Sequence, residues 1–204
     1  MHPTPTTSNT LRRTDPSGGP GELGEQFARA IAAALFDLEH ALAAISPRTY
    51  QSTLLDPAFA STVGKHVRHT IDHVWALRAA SEGACACYES RSRGTAVETD
   101  LPRAICDLRE ARAFLEGLRR SDFAAPIAIE LAIFRDSPPA PMASTLEREL
   151  AFVHGHTIHH MAIIRMLIAR SDEASSLPRT FGYAPGTPID AGSATAARAQ
   201  ERQS

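Results

Sequence analysis

Apolar residues return every three or four positions over four stretches of the chain. From about Glu22 to Ile45 they are Phe27, Ile31, Ala34, Leu35, Leu38, Leu42 and Ile45, and from roughly Ser61 to Ala80 they are Val63, Val74 and Leu77 beside Thr70. A third stretch opens at Thr99 or Asp100, has Pro102 in its first turn, and runs through Ile105, Leu108, Ala111 and Leu115 to about Leu118. The fourth spans Ser144 to Arg170 with Val153, Ile164 and Leu167, and its Ser144-x-x-Glu147 start reads as a capping box. A period near 3.6 puts each set on one helical face, so the fold expected is all-α, a four-helix bundle.

Between the third and fourth helices the period changes to two. Ile127, Ile129, Leu131 and Ile133 alternate with Ala128, Glu130 and Ala132, which predicts one short extended segment, followed by a Pro-rich turn over Arg135 to Pro141. Residues 1–21 are rich in Pro, Thr, Ser and Gly, lack periodicity and read as a disordered arm. Residues 22–186 form the folded domain, in which Leu177 to Pro185 is expected to pack back through Phe181 and Tyr183. Residues 187–204 read as a mobile tail.

Composition narrows the function. The chain has 204 residues, enough for one domain with a real core, and a formal charge of −2. That balance gives no reason to expect nucleic acid or an acidic membrane as partner. The start lacks a basic-then-apolar leader pattern, and no apolar run reaches the roughly 18 residues of a membrane span. Three cysteines, Cys85, Cys87 and Cys106, cannot all pair with one another, which fits a reducing, cytoplasmic setting. Cys85-x-Cys87 lacks a second cysteine pair and reads as structurally neutral, and Cys106 as a buried, inert thiol beside its helix stripe.

The candidate chemistry lies in the histidines. Seven of nine fall in two windows: His66, His69 and His73 on the second helix, and His154, His156, His159 and His160 on the fourth. His156 and His160 lie within the apolar stripe of the fourth helix, His159 at its edge and His154 on the wetter side. An imidazole on a buried stripe costs free energy unless it is satisfied, and an i, i+4 pair is a two-ligand bite for a metal ion. A third imidazole from the second helix would complete a three-histidine site with an open position, the catalytic type. The competing reading is a set of hydrogen-bonded core histidines. On the second helix, His66 and His73 lie about 60° and 40° from His69 towards the apolar face, so geometry slightly favours either of them. Glu149, on the stripe of the fourth helix, is a candidate base or water-positioning group, or else a plain first-turn acid favoured by the helix dipole. Asp72 is a candidate partner of a ligating imidazole.

The segments Val63-Gly64-Lys65-His66-Val67-Arg68-His69-Thr70-Ile71-Asp72 and His156-Thr157-Ile158-His159-His160 resemble the two signatures of the DinB/YfiT superfamily. Tyr88-x-x-Arg91-x-Arg93 with Glu98, and Phe181-Gly182-Tyr183-Ala184-Pro185, extend the likeness over about residues 24–186. The resemblance implies an up-down-down-up four-helix bundle holding a divalent ion, zinc or nickel, on three histidines. Matched residue by residue, these are His69, His156 and His160, with His66, His73 and His159 in reserve. It further implies a metal-dependent hydrolase acting on a small molecule. Alternatives are a low-molecular-weight-thiol S-transferase working through a metal-bound thiolate, or a non-catalytic, stress-related homodimeric bundle.

Overall fold

A computed structural model describes residues 21–53, 61–89 and 94–188. The expected N-terminal arm and C-terminal tail therefore lie almost wholly outside the described residues, as do Leu54, Leu55, Asp56, Pro57, Arg91 and Arg93. Five α-helices are described: α1 Glu22–Ala43, α2 Pro47–Gln51, α3 Val63–Ser81, α4 Leu101–Gly117 and α5 Leu146–Ile168. Three strands accompany them, β1 Cys85–Cys87, β2 Pro126–Leu131 and β3 Ala140–Thr145.

The long helices follow the sequence periods. α1 buries Ile31, Leu35, Leu38 and Leu42, and α3 buries Val67, Ile71, Val74 and Leu77. α4 adds Leu108 and Leu115, and α5 adds Leu150, Val153, Ile164 and Leu167. α1 packs on α4 and α5, and α3 packs on the same two helices from the other side. The order around the core is thus α1, α4, α3, α5. Helix ends obey local chemistry: Thr62 caps α3 by accepting from the Lys65 amide, and Asp100 caps α4 by accepting from Arg103. Ser46 caps α2, whose first residue is Pro47, a position that needs no N–H donor.

An all-α four-helix bundle is not what forms. The strands make one mixed sheet in the order β1-β2-β3, with β1 parallel and β3 antiparallel to β2. Cys85 pairs with Ala128 and Cys87 with Glu130, while Ile127 pairs with Ser144 and Leu131 with Ala140. The period-two stretch is the central strand, burying Ile127 and Ile129. Its two neighbours escaped the sequence pattern because β1 is three residues long and β3, Ala-Pro-Met-Ala-Ser-Thr, is poor in β-formers and contains a proline, which an edge strand tolerates.

The start of α5 also differs from the expected capping box. Thr145 is the cap, accepting from the Arg148 amide at 3.3 Å. Ser144 sits in β3 and donates to Glu149, while Glu147 accepts from the Gly24 amide at the start of α1. A hydroxyl was available at either position; both residues pair in the sheet, and the Ser144 hydroxyl is taken up by Glu149.

After α5 the chain returns across the helix, as its aromatics suggest. Phe181 is buried, and Arg165 donates to the carbonyls of Pro178, Arg179 and Phe181 while lying over the Tyr183 ring. Gly182, at φ 73°, comes so near α5 that a Cβ would lie 2.8 Å from the Met161 carbonyl oxygen. Among the described residues, no helix is long and apolar enough to cross a membrane.

Candidate metal centre

α3 and α5 lie against each other, and their histidines meet at the contact. His69 and His73 are one helical turn apart on α3 and buried, with 8% and 3% of their surface exposed. His156 approaches from α5 and stays half-buried. One ring nitrogen from each of these three residues lies within 4.8 Å of the other two.

Their hydrogen bonding fixes part of the chemistry. His73 Nδ1 is 2.9 Å from the His69 carbonyl oxygen, which can only accept, so Nδ1 holds the proton and Nε2 is the basic nitrogen. A ligating imidazole oriented through its other N–H is the usual arrangement at metal centres. His69 Nε2 and His156 Nε2 stand 3.0 Å apart. Two nitrogens on a tetrahedral zinc, each at about 2.0–2.1 Å, would be separated by about 3.3 Å. This pair stands near that separation, and the distances to the His73 nitrogen stay within 4.8 Å. A buried three-histidine group able to hold a metal ion is present.

His160 and His66 occupy the adjoining layer. Their Nδ1 atoms are 2.8 Å apart, and His66 Nε2 meets Ser61 Oγ at 2.6 Å. The His160 ring lies 4.6 Å from that of His69 and 4.5 Å from that of His156, both edge-on. The structure thus brings His69 and His156 together with His73, and places His160, the third member of the motif-derived set, against His66. Both rings resist protonation. Burial, then the neighbouring His159, lowers His66 to about 4, and burial followed by His156, His66, His159 and His73 lowers His160 to about 3. His159 is exposed at the rim, 6.3 Å from the His156 ring, and His154 lies apart against Phe27.

Glu149 is wholly buried and held by three donors. Tyr88 Oη gives one hydrogen bond at 2.8 Å, and Ser144 Oγ and Arg148 Nη1 each give one at 2.6 Å. Its connection to the histidines runs through Tyr88, whose ring stacks on His73 at 5.0 Å. Burial and the hydrogen bond to Glu149 push the Tyr88 hydroxyl well above its ordinary range, so it remains a donor. Asp72 Oδ2 accepts from Arg68, which also pairs with Glu98.

Sequence reasoning gave no role to Tyr88, Phe152 or Arg148. Phe152 is 38% exposed and packs near His156 and Tyr88, and the Arg148 guanidinium carbon lies 5.8 Å from its ring centroid. Helical spacing held the signal for two of them, since Arg148, Phe152 and His156 follow at intervals of four. The cysteines stand outside this cluster: Cys85 is exposed, Cys87 is half-buried in β1, and Cys106, expected to be buried, is exposed because it falls beside the buried stripe of α4 and not on it. Comparison with known proteins finds no matching family model, no matching curated protein and no matching solved structure.

Proposed function

We propose that this protein is a divalent-metal-dependent enzyme, a hydrolase acting on a small molecule, with zinc or nickel held by His69, His73 and His156. The observation that supports it is the convergence of three ring nitrogens within 4.8 Å, two of them on buried residues and the third on the half-buried His156. Such a group leaves one side for water or substrate, the condition for catalysis rather than for a purely structural ion. Bound there, a divalent ion supplies Lewis acidity and lowers the pKa of coordinated water towards 7. The chain's own part is to hold three neutral donors in place: the His69 carbonyl orients His73, Tyr88 and His156 sandwich the His73 ring, and the α3–α5 contact sets the spacing. The DinB-like spacing of histidines on α3 and α5 supports a three-histidine metal site between the same two helices, with His160 where the geometry favours His73.

One observation favours a second reading, transfer of a low-molecular-weight thiol. Three imidazoles bring no negative charge to a divalent ion, and an anionic thiolate would supply it.

Metal content separates the assignments. His69→Ala, His73→Ala and His156→Ala are each expected to lose stoichiometric zinc, measured by elemental analysis after dialysis, with helical circular dichroism retained. His160→Ala is expected to keep it. Full zinc content in all four variants would reject the centre, and loss in His160→Ala with retention in His73→Ala would transfer the third position to His160.

A further inference from the structure

The rim of the histidine cluster has a directional build. Along α5, Arg148, Phe152 and His156 are stacked in order: the guanidinium carbon is 5.8 Å from the Phe152 centroid, and Phe152 is 5.7 Å from the His156 ring at 24°. Eight residues of helix separate the ends, a span of about 12 Å. Phe152 keeps 38% of its surface exposed, although it touches Tyr88 and His156, both part of the interior cluster. An aromatic ring half in water at the mouth of a polar site offers a flat apolar wall. Arg148 ends the row. One of its nitrogens is fixed by Glu149, yet the side chain is 56% exposed, so the guanidinium is anchored in direction and still faces solvent. Glu149 itself is fully buried beneath it and presents no carboxylate to a ligand.

Resting on the metal reading above, we infer that Arg148 and Phe152 form the recognition wall for the far end of the substrate. The substrate is accordingly an elongated molecule with a metal-seeking head, a flat apolar middle and an anionic tail. The head lies beside the half-buried His156, the middle on Phe152, and the tail at the guanidinium, whose planar fork suits a carboxylate. Phe152 and Arg148 are binding residues in this scheme and take no part in bond making.

Cobalt(II)-loaded protein titrated with 4-(2-mercaptoethyl)benzoate and with the corresponding benzamide tests this through the visible d–d absorption, with no turnover required. The carboxylate is expected to bind about tenfold more tightly than the amide, the scale of one charge-assisted hydrogen bond. Arg148→Met should abolish that preference, Arg148→Lys should retain part of it, and Phe152→Leu should weaken both probes alike. Equal affinities in the unmodified protein, or absence of binding by both probes, would overturn the inference and leave the metal centre standing, since cobalt uptake is seen separately. Failure to take up cobalt would overturn both. The comparison of probes on the unmodified protein stands even if a variant folds poorly.

Discussion

The side chains that matter most around the histidines are those whose polar groups are buried and paired. Glu149 has no exposed surface, and a carboxylate in that position is tolerable only because its three donors compensate for lost water. Tyr88 serves twice, donating to Glu149 through its hydroxyl and packing its ring on His73. Replacing Tyr88 with Phe separates the two roles. The ring contact survives, one donor disappears, and the protein is expected to lose about 1–3 kcal/mol in urea unfolding with zinc content unchanged. A loss of zinc in this variant would place the hydroxyl in the metal centre instead. Glu149 was legible in the sequence as an acid on the apolar stripe of its helix, whereas the part played by Tyr88 was not, because a tyrosine seven residues beyond the end of α3 has no periodic context.

Among the elements, α3 shows how close packing overrides propensity. Gly64 sits in its first turn, where a Cβ would run into the Glu98 carbonyl and lie 2.8 Å from Tyr50 Cε1. Alanine favours helix over glycine by up to about 1 kcal/mol. Gly64→Ala is nonetheless expected to cost about 1–3 kcal/mol in urea unfolding, because the neighbour is backbone of the 3-10 turn Ala96–Glu98 and cannot swing aside. A stabilised variant would show that the approach relaxes freely. The long helices were readable since their burial follows a 3.6-residue period, and Asp100 was readable as a cap because short polar side chains at such starts bond the free amides. The sheet was readable only at its centre, where Ile127 and Ile129 alternate with exposed neighbours. Its edges depend on partners far away in sequence. The histidine windows were legible for the same reason as the helices, and the wheel on α3 leaned towards His66 or His73, the second of which joins His69 and His156 in the group; how α3 and α5 turn against each other, which decides between His73 and His160, is not written in either helix alone.

Over the whole molecule, the histidine layer makes stability depend on pH. In the unfolded chain His66 and His160 titrate near the ordinary 6.5, while in the folded chain they hold out to about 4 and about 3. Between those limits the unfolded state binds more protons, so stability is full above about 6.5 and drains away as pH falls towards the folded values. Thermal melts of metal-free protein at pH 7.5, 5.5 and 4.5 should show a falling midpoint, and His160→Phe should flatten that slope. A slope unaltered by the substitution would assign the acid sensitivity to other groups.

The order of the helices around the core has a consequence for how the chain is made. α1 finds its packing partners in α4 and α5, and its Gly24 amide is bonded by Glu147, which lies 123 residues downstream. An emerging chain therefore exposes the Leu35–Leu38–Leu42 face of its first helix until the second half has left the ribosome. Loop closure over such distances is slow compared with helix formation. The apolar face of α1 thus gains its native cover only once α4 and α5 have both been made, which ties the packing of the earliest helix to the latest.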